Sequence, residues 1–199
     1  MTRKFCIMEL VFASQNQNKL REIASLMPKG IFLKGLDEFI FKDELPETGD
    51  TLEKNALQKA RFVFEKTNKI CFADDTGLEI EALNGKPGVY SARYAGEQKN
   101  ANDNMEKVLS ELKSNTLRKA RFRTVIAFCD GKKEYLFEGI VEGEILEEIR
   151  GEKGFGYDPI FMPDGFSKSF AQMSLEEKNT VSHRARALRK FVEFIENNF

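Results

Sequence analysis

The sequence has no tryptophan, one histidine and three cysteines among 199 residues, and its 31 Lys plus Arg so nearly balance 32 Asp plus Glu that the formal net charge is −1. The balance of charge removes the global basic field that drives nonspecific nucleic-acid binding, so any anion site must be local. Cys6, Cys71 and Cys129 stand far apart in apolar, strand-like runs with no C-x-x-C spacing. With a single histidine to join them they make a poor metal site, and they read as small core residues of a reducing compartment. No stretch of about 18 apolar residues occurs. The N-terminal MTRKFCIMELVFAS also lacks an apolar signal core of about 7 residues, and Met8 is as good a start as Met1. These absences predict a cytoplasmic protein without nucleic-acid or membrane partners.

What is present is a core. Hydrophobic residues make up 41% and charged residues 32%, with 18 phenylalanines, a composition that folds rather than stays disordered and makes Phe a principal packing residue. The length suits a single domain over 1–199, or two lobes sharing a sheet. Residues 10–13, LVFA, read as a buried strand, and Leu20, Ile23, Ala24 and Met27 follow at helical spacing. Asp50 and Glu53 read as a capping pair for a second helix through Leu52, Ala56, Ala60 and Val63 that ends near Thr67. Ile70–Ala73 is the next strand, with Asp74 and Asp75 at its end and Gly77 in a turn. LEIEAL, 78–83, is a further strand closed by Asn84-Gly85, and Met105, Val108, Leu109 and Leu112 mark a third helix with Asp103 and Glu106 as its cap. Residues 120–145 read as antiparallel strands joined at Asp130-Gly131. A capping box, Ser174 to Glu177, precedes a C-terminal helix through Ala185, Leu188, Val192 and Ile195. The order predicts an α/β fold with a mixed sheet.

Chemistry concentrates in four places. SQNQNK, Ser14 to Lys19, joins a strand to a helix, whose N-terminus offers unpaired N–H groups to an anion; the same residues also suit a plain polar turn. Glu47, in LPETGD, and one acid of ADDTG would make a hard-cation site if brought together, since Mg²⁺ accepts one or two carboxylates and keeps water and phosphate as further ligands. Side chains alternate along a strand, so Asp74 and Asp75 are not expected to serve one site together. GFGYDP presents Phe155 and Tyr157 between glycines beside Asp158, either as a hydrophobic anchor or as a platform for a flat ring. Lys178, His183 and Arg184 form a basic cluster suited to phosphate or carbonyl recognition.

Taken in order, LVFASQNQNKLREI, ETGDTLEKNALQKAR, ADDTGLEIEALNGKPGVYSARYAG, GFGYDPIFMPDG and MSLEEKNTVSHRARAL resemble the inosine triphosphate pyrophosphatases across nearly the whole chain. The resemblance implies an elongated, two-lobed α/β fold with a cleft between the lobes, working as a homodimer. It implies Mg²⁺-dependent hydrolysis of ITP, dITP and XTP, purine nucleoside triphosphates, to the monophosphate and pyrophosphate. By the same resemblance Ser14, Gln15, Asn16, Gln17, Asn18 and Lys19 hold the triphosphate, and Glu47 and Asp75 attend the metal. The resemblance likewise implies that Asp75 is the general base, that Lys59 lies near the phosphates and that Thr76 stands beside the substrate. Phe155, Gly156, Tyr157 and Asp158 receive the base, and Lys178, His183 and Arg184 close over nucleotide and base. Gln15 departs from the resembled pattern, which has glycine there. That departure keeps a binding protein of slow turnover in view, alongside a pyrophosphatase acting on other modified nucleotides; a nucleic-acid module built on ARFRT is disfavoured by the charge balance.

Overall fold

The computed structural model describes residues 8–39, 41 and 43–199, which leaves Cys6 outside. The elements in chain order are β1 (Met8–Phe12), α1 (Gln17–Ala24), β2 (Ile31–Lys34), α2 (Leu52–Thr67), β3 (Cys71–Ile80), β4 (Lys86–Pro87), α3 (Ala101–Glu111), β5 (Lys119–Cys129), β6 (Glu134–Ile145), β7 (Phe161–Pro163), α4 (Leu175–Val181) and α5 (His183–Asn198). The strands form one sheet in the order β2-β1-β3-β5-β6-β7, with β4 also pairing β3. β1 is parallel to both β2 and β3, whereas β3–β4 and β6–β7 are antiparallel, so the sheet is mixed as expected. Among the described residues no helix is long and apolar enough to cross a membrane.

The chain divides into two compact units. One takes the chain up to Asp75 together with Val125–Glu138 and Arg184–Phe199; the other takes Thr76–Thr124 and Gly139–His183. Each has its own phenylalanine-rich core. In the first, Phe72 lies 5.0 Å from Phe12 and 4.9 Å from Phe191, with Leu10, Ile23, Ile126 and Leu188 packed around them. In the second, Phe122 lies 4.7 Å from Phe161, in a cluster with Leu78, Ile80, Met105, Tyr157 and Phe170. Cys71 and Cys129 are free and buried, as their apolar surroundings in the sequence suggest.

Several expected boundaries shift for identifiable reasons. The two aspartates do not end a strand: β3 runs unbroken from Cys71 to Ile80, so Gly77 makes no turn. Its glycine is explained by a close approach instead, because a Cβ at 77 would sit 2.7 Å from the carbonyl oxygen of Gly88. The N-cap of α2 is Thr51, whose hydroxyl accepts from Lys54 N, rather than Asp50. The N-cap of α3 is Asn100, rather than Asp103. In both cases the residue just before the first helical one has the extended backbone that aims its side chain at the open N–H groups. The short strands β2, β4 and β7 carry too few residues to show alternation. The Ser174–Glu177 capping box forms with both halves present, and the Asp130-Gly131 turn joins β5 to β6 as read.

Gly77→Ala should lower the unfolding free energy by about 1–3 kcal/mol, since backbone must move to admit the methyl group. Urea titration checks this, and an unchanged midpoint would refute the close-approach explanation.

Candidate active site

The loop after β1 is organised by its own side chains. Asn16 caps α1, its Oδ1 accepting from Asn18 N at 2.9 Å and Lys19 N at 3.2 Å, while Ser14 Oγ accepts from Asn16 N. Gln15 Nε2 donates to the Asp43 carbonyl at 3.1 Å. Gln17 and Asn18 are exposed on the first turn. Lys19 instead reaches inward, its Nζ 3.0 Å from Asp74 Oδ1, and burial lowers its pKa despite that partner.

Asp74 and Asp75 are both buried and take separate partners. Asp74 receives Lys19 on one oxygen and Arg184 Nε, at 3.1 Å, on the other. Burial alone would raise its pKa, but Lys19 and Arg184 hold it well below the usual carboxylate range. Arg184 also pairs through Nη1 with Glu22 Oε2, and Glu22 and Asp74 more than offset the effect of burial on the guanidinium. Asp75 accepts from Lys59 Nζ at 3.1 Å and from Asn55 Nδ2 at 3.2 Å. Burial dominates there, and its pKa is raised even with Lys59 and Lys19 nearby.

Lys59 links Asp75 to Glu47, whose Oε1 lies 2.6 Å from the same Nζ. Burial would lower the lysine's pKa, but Asp75 and Glu47 raise it on balance. The loop carrying Glu47 is fastened to α2: Asn55 Oδ1 accepts from Gly49 N at 2.7 Å, and Thr48 exchanges two hydrogen bonds with Gln58. Two carboxylates thus converge on one lysine, and paired carboxylates are a donor set a hard divalent cation fits. Among the described residues no group of three His, Cys, Asp or Glu side chains is arranged to hold a metal ion, so water and substrate would supply the remaining ligands.

In the second unit, Asp158 organises the 154–158 loop. Its Oδ2 accepts from Phe155 N at 2.8 Å and from Lys178 Nζ at 2.6 Å. The Lys178 ammonium lies 5.1 Å from the Phe155 ring centroid and 5.4 Å from that of Phe170. Gly154 is required, having φ of 74° and Asp158 Oδ2 where a Cβ would stand. Tyr157 is buried in the core and donates its hydroxyl to the Ser91 carbonyl at 2.8 Å. His183 stacks on Phe122, with ring centroids 4.5 Å apart and an interplanar angle of 16°. Thr76 shares a 2.7 Å hydroxyl contact with Thr124, which is fully buried.

The structure therefore brings together Lys19, Asp74 and Arg184, then Glu47, Lys59 and Asp75, and in the other unit Phe155, Asp158 and Lys178 with the buried Tyr157. The basic cluster read from sequence is distributed: Lys178 pairs with Asp158, Arg184 with Asp74 and Glu22, and His183 lies flat on an aromatic ring. Sequence reading missed Glu22 and Asn55. Their signal was a polar residue on an otherwise apolar helix face, Glu22 beside Ile23 on α1 and Asn55 and Lys59 interleaved with Leu52, Ala56 and Ala60 on α2.

The Ham1 family model matches residues 10–194. The chain is 52% identical over 190 residues to the dITP/XTP pyrophosphatase of Flavobacterium psychrophilum, covering 96% of this chain and 100% of that one. It is 48% identical over 192 residues to the dITP/XTP pyrophosphatase of Bacillus subtilis, covering 94% and 96%. The solved structure of the Staphylococcus aureus Ham1 protein matches with a TM-score of 0.87 at 42% identity, over 96% of this chain and 100% of that one. This chain belongs to the Ham1 family.

Arg184→Ala would leave Asp74 and Glu22 buried without their shared guanidinium, a loss that typically costs about 3–5 kcal/mol. Denaturant unfolding should show a drop of that order, with Arg184→Lys recovering part of it. A change below about 1 kcal/mol would mean that the network does not hold the fold.

Proposed function

We propose that the chain hydrolyses ITP, dITP and XTP to the corresponding monophosphate and pyrophosphate in a Mg²⁺-dependent reaction, as a cytoplasmic homodimer. It is a nucleoside triphosphate pyrophosphatase, and two relatives that match it over nearly their whole length bear the name dITP/XTP pyrophosphatase. The observation that carries the reading is the setting of Asp75: a buried carboxylate of raised pKa between Lys59 and Asn55, sharing its lysine with a second carboxylate.

A raised pKa makes Asp75 a stronger base toward water, and Lys59 opposes the rise that burial causes. Asn55 occupies Asp75 Oδ2 and fixes the rotation of the carboxylate. Asp75 takes the proton of a water attacking the α-phosphorus in line, and pyrophosphate leaves. Lys19 and Lys59 offset the charge of the phosphates, and positioning with electrostatics accounts for most of the acceleration in such transfers. Glu47 and Asp75 would hold Mg²⁺, which when bound neutralises phosphate charge and polarises the phosphoryl oxygens. The loop Ser14–Lys19 contributes the α1 N-terminus to the same anion.

Base selection follows from hydrogen-bond complementarity. Hypoxanthine and xanthine carry a 6-oxo acceptor where adenine carries an amino donor. A buried donor left facing that amino group costs about 1–3 kcal/mol. Phe155 N is committed to Asp158 and Arg184 to Asp74 and Glu22, so His183 is the side chain assigned to that contact in the second unit, with Phe155 as the stacking ring.

Pyrophosphate release from ITP, dITP and XTP should be rapid with Mg²⁺ and abolished by chelator, with ATP slower by about ten- to a hundredfold. Coupled phosphate detection and chromatography of the nucleotide products check both points. Absence of release from folded protein would reject the reading in favour of nucleotide binding without turnover.

A further inference from the structure

The segment 88–95, GVYSARYA, lies in neither a strand nor an α-helix, yet Ser91 within it is buried and tied on all sides. Its hydroxyl accepts from Leu78 N on β3 at 2.9 Å and donates to Gly88 O at 2.6 Å. Asn104, buried on α3, grips the same segment with both ends of its amide. Oδ1 accepts from Ala95 N at 2.6 Å, and Nδ2 donates to Ala92 O at 3.0 Å and more distantly to Ser91 O at 3.5 Å. The Ser91 carbonyl then receives the Tyr157 hydroxyl at 2.8 Å.

Tyr157 belongs to a loop whose backbone has little regular support. Gly154 and Gly156, on either side of Phe155, have φ of 74° and 64°, a region glycine enters with no penalty and leaves as readily. Among its restraints are Asp158, which holds Phe155 N and pairs with Lys178, and Tyr157, whose hydroxyl reaches the 88–95 segment. We infer that Asn104 and the Ser91 carbonyl, acting through the Tyr157 hydroxyl, are positioning groups that fix the 154–158 loop and so set the Phe155 ring for the nucleobase. The inference rests on the reading above that this loop receives the base, and adds that Tyr157 acts from behind the loop through Ser91.

A network that only satisfies buried polar groups would change stability when cut and leave nucleotide affinity and base preference alone. A positioning network changes where the ring stands. The loss then falls on KM and on selectivity more than on turnover of bound substrate. Tyr157→Phe keeps the packed ring and removes only the hydroxyl; Asn104→Ala releases the segment that presents the Ser91 carbonyl. Both act on one hydrogen bond, so their effects should not add.

The experiment measures kcat and KM for ITP and for GTP in wild type, Tyr157→Phe, Asn104→Ala and the double variant, with thermal unfolding of each. The expected result is a KM for ITP raised about three- to tenfold in each single variant, as loss of one hydrogen bond gives. It also includes a smaller change in kcat, a reduced ITP-over-GTP preference and a double variant close to the worse single. Wild-type KM and preference in Tyr157→Phe, with only a lower unfolding temperature, would overturn the inference, as would fully additive effects. If Asn104→Ala fails to fold, Tyr157→Phe alone decides. Wild-type protein inert toward ITP would reject the base-site reading and this inference with it, an outcome distinct from normal kinetics in the variants.

Discussion

The central constraint on this chain is the burial of two adjacent carboxylates in the middle of a strand. An ionised carboxylate removed from water is costly unless cations and hydrogen-bond donors replace the solvent. Successive side chains of a strand point to opposite faces, so a single cation does not serve both. Asp74 takes Lys19 and Arg184, and Asp75 takes Lys59 and Asn55. Three helices must deliver those groups: α1 supplies Lys19 and Glu22, α2 supplies Asn55 and Lys59, and α5 supplies Arg184. The hydrophobic clustering around Phe72 and Phe191 includes Ile23 of α1 and Leu188 of α5 and so sets where those two helices lie, and the ion pairs set which residues must stand at those positions.

The two aspartates then do different work because their partners differ. Asp74 has a cation on each oxygen and a strongly depressed pKa, so it stays ionised and belongs to the framework. Asp75 shares its lysine with Glu47 and keeps a raised pKa, the condition of a group that can gain a proton or a metal ion. The second unit uses a parallel device. There Asp158 fixes both the backbone of Phe155 and the ammonium of Lys178, so that one carboxylate shapes the loop and sets a charge beside the ring.

Much of this was legible in the sequence. Lys19, Glu47, Asp75, Asp158 and Lys178 stand in short polar motifs at element ends and beside glycines, and Lys59 was named only through the family resemblance. The separate roles of Asp74 and Asp75 followed from strand alternation, even though β3 was expected to end before them. That error came from Gly77, read as a turn when its lack of a side chain serves a close backbone approach. Glu22 and Asn55 show locally only as polar residues on apolar helix faces, which does not name their partners, and Ser91 and Asn104 escaped because they bond mainly to backbone atoms. Arg184 looked like one member of a basic run, and its pairing with Glu22, 162 residues away, is a property of the packed fold.

The division of labour between the adjacent aspartates is tested most directly by comparing Asp74→Asn with Asp75→Asn, measuring unfolding free energy and ITP turnover on the same preparations. Asp75→Asn should keep most of its stability while turnover falls by about a hundredfold or more, the usual effect of losing a general base. Asp74→Asn should lose stability first, by roughly 3–5 kcal/mol, because Lys19 and Arg184 lose a buried counter-charge. Near-normal turnover in folded Asp75→Asn, or the opposite pattern between the two variants, would contradict that division of labour.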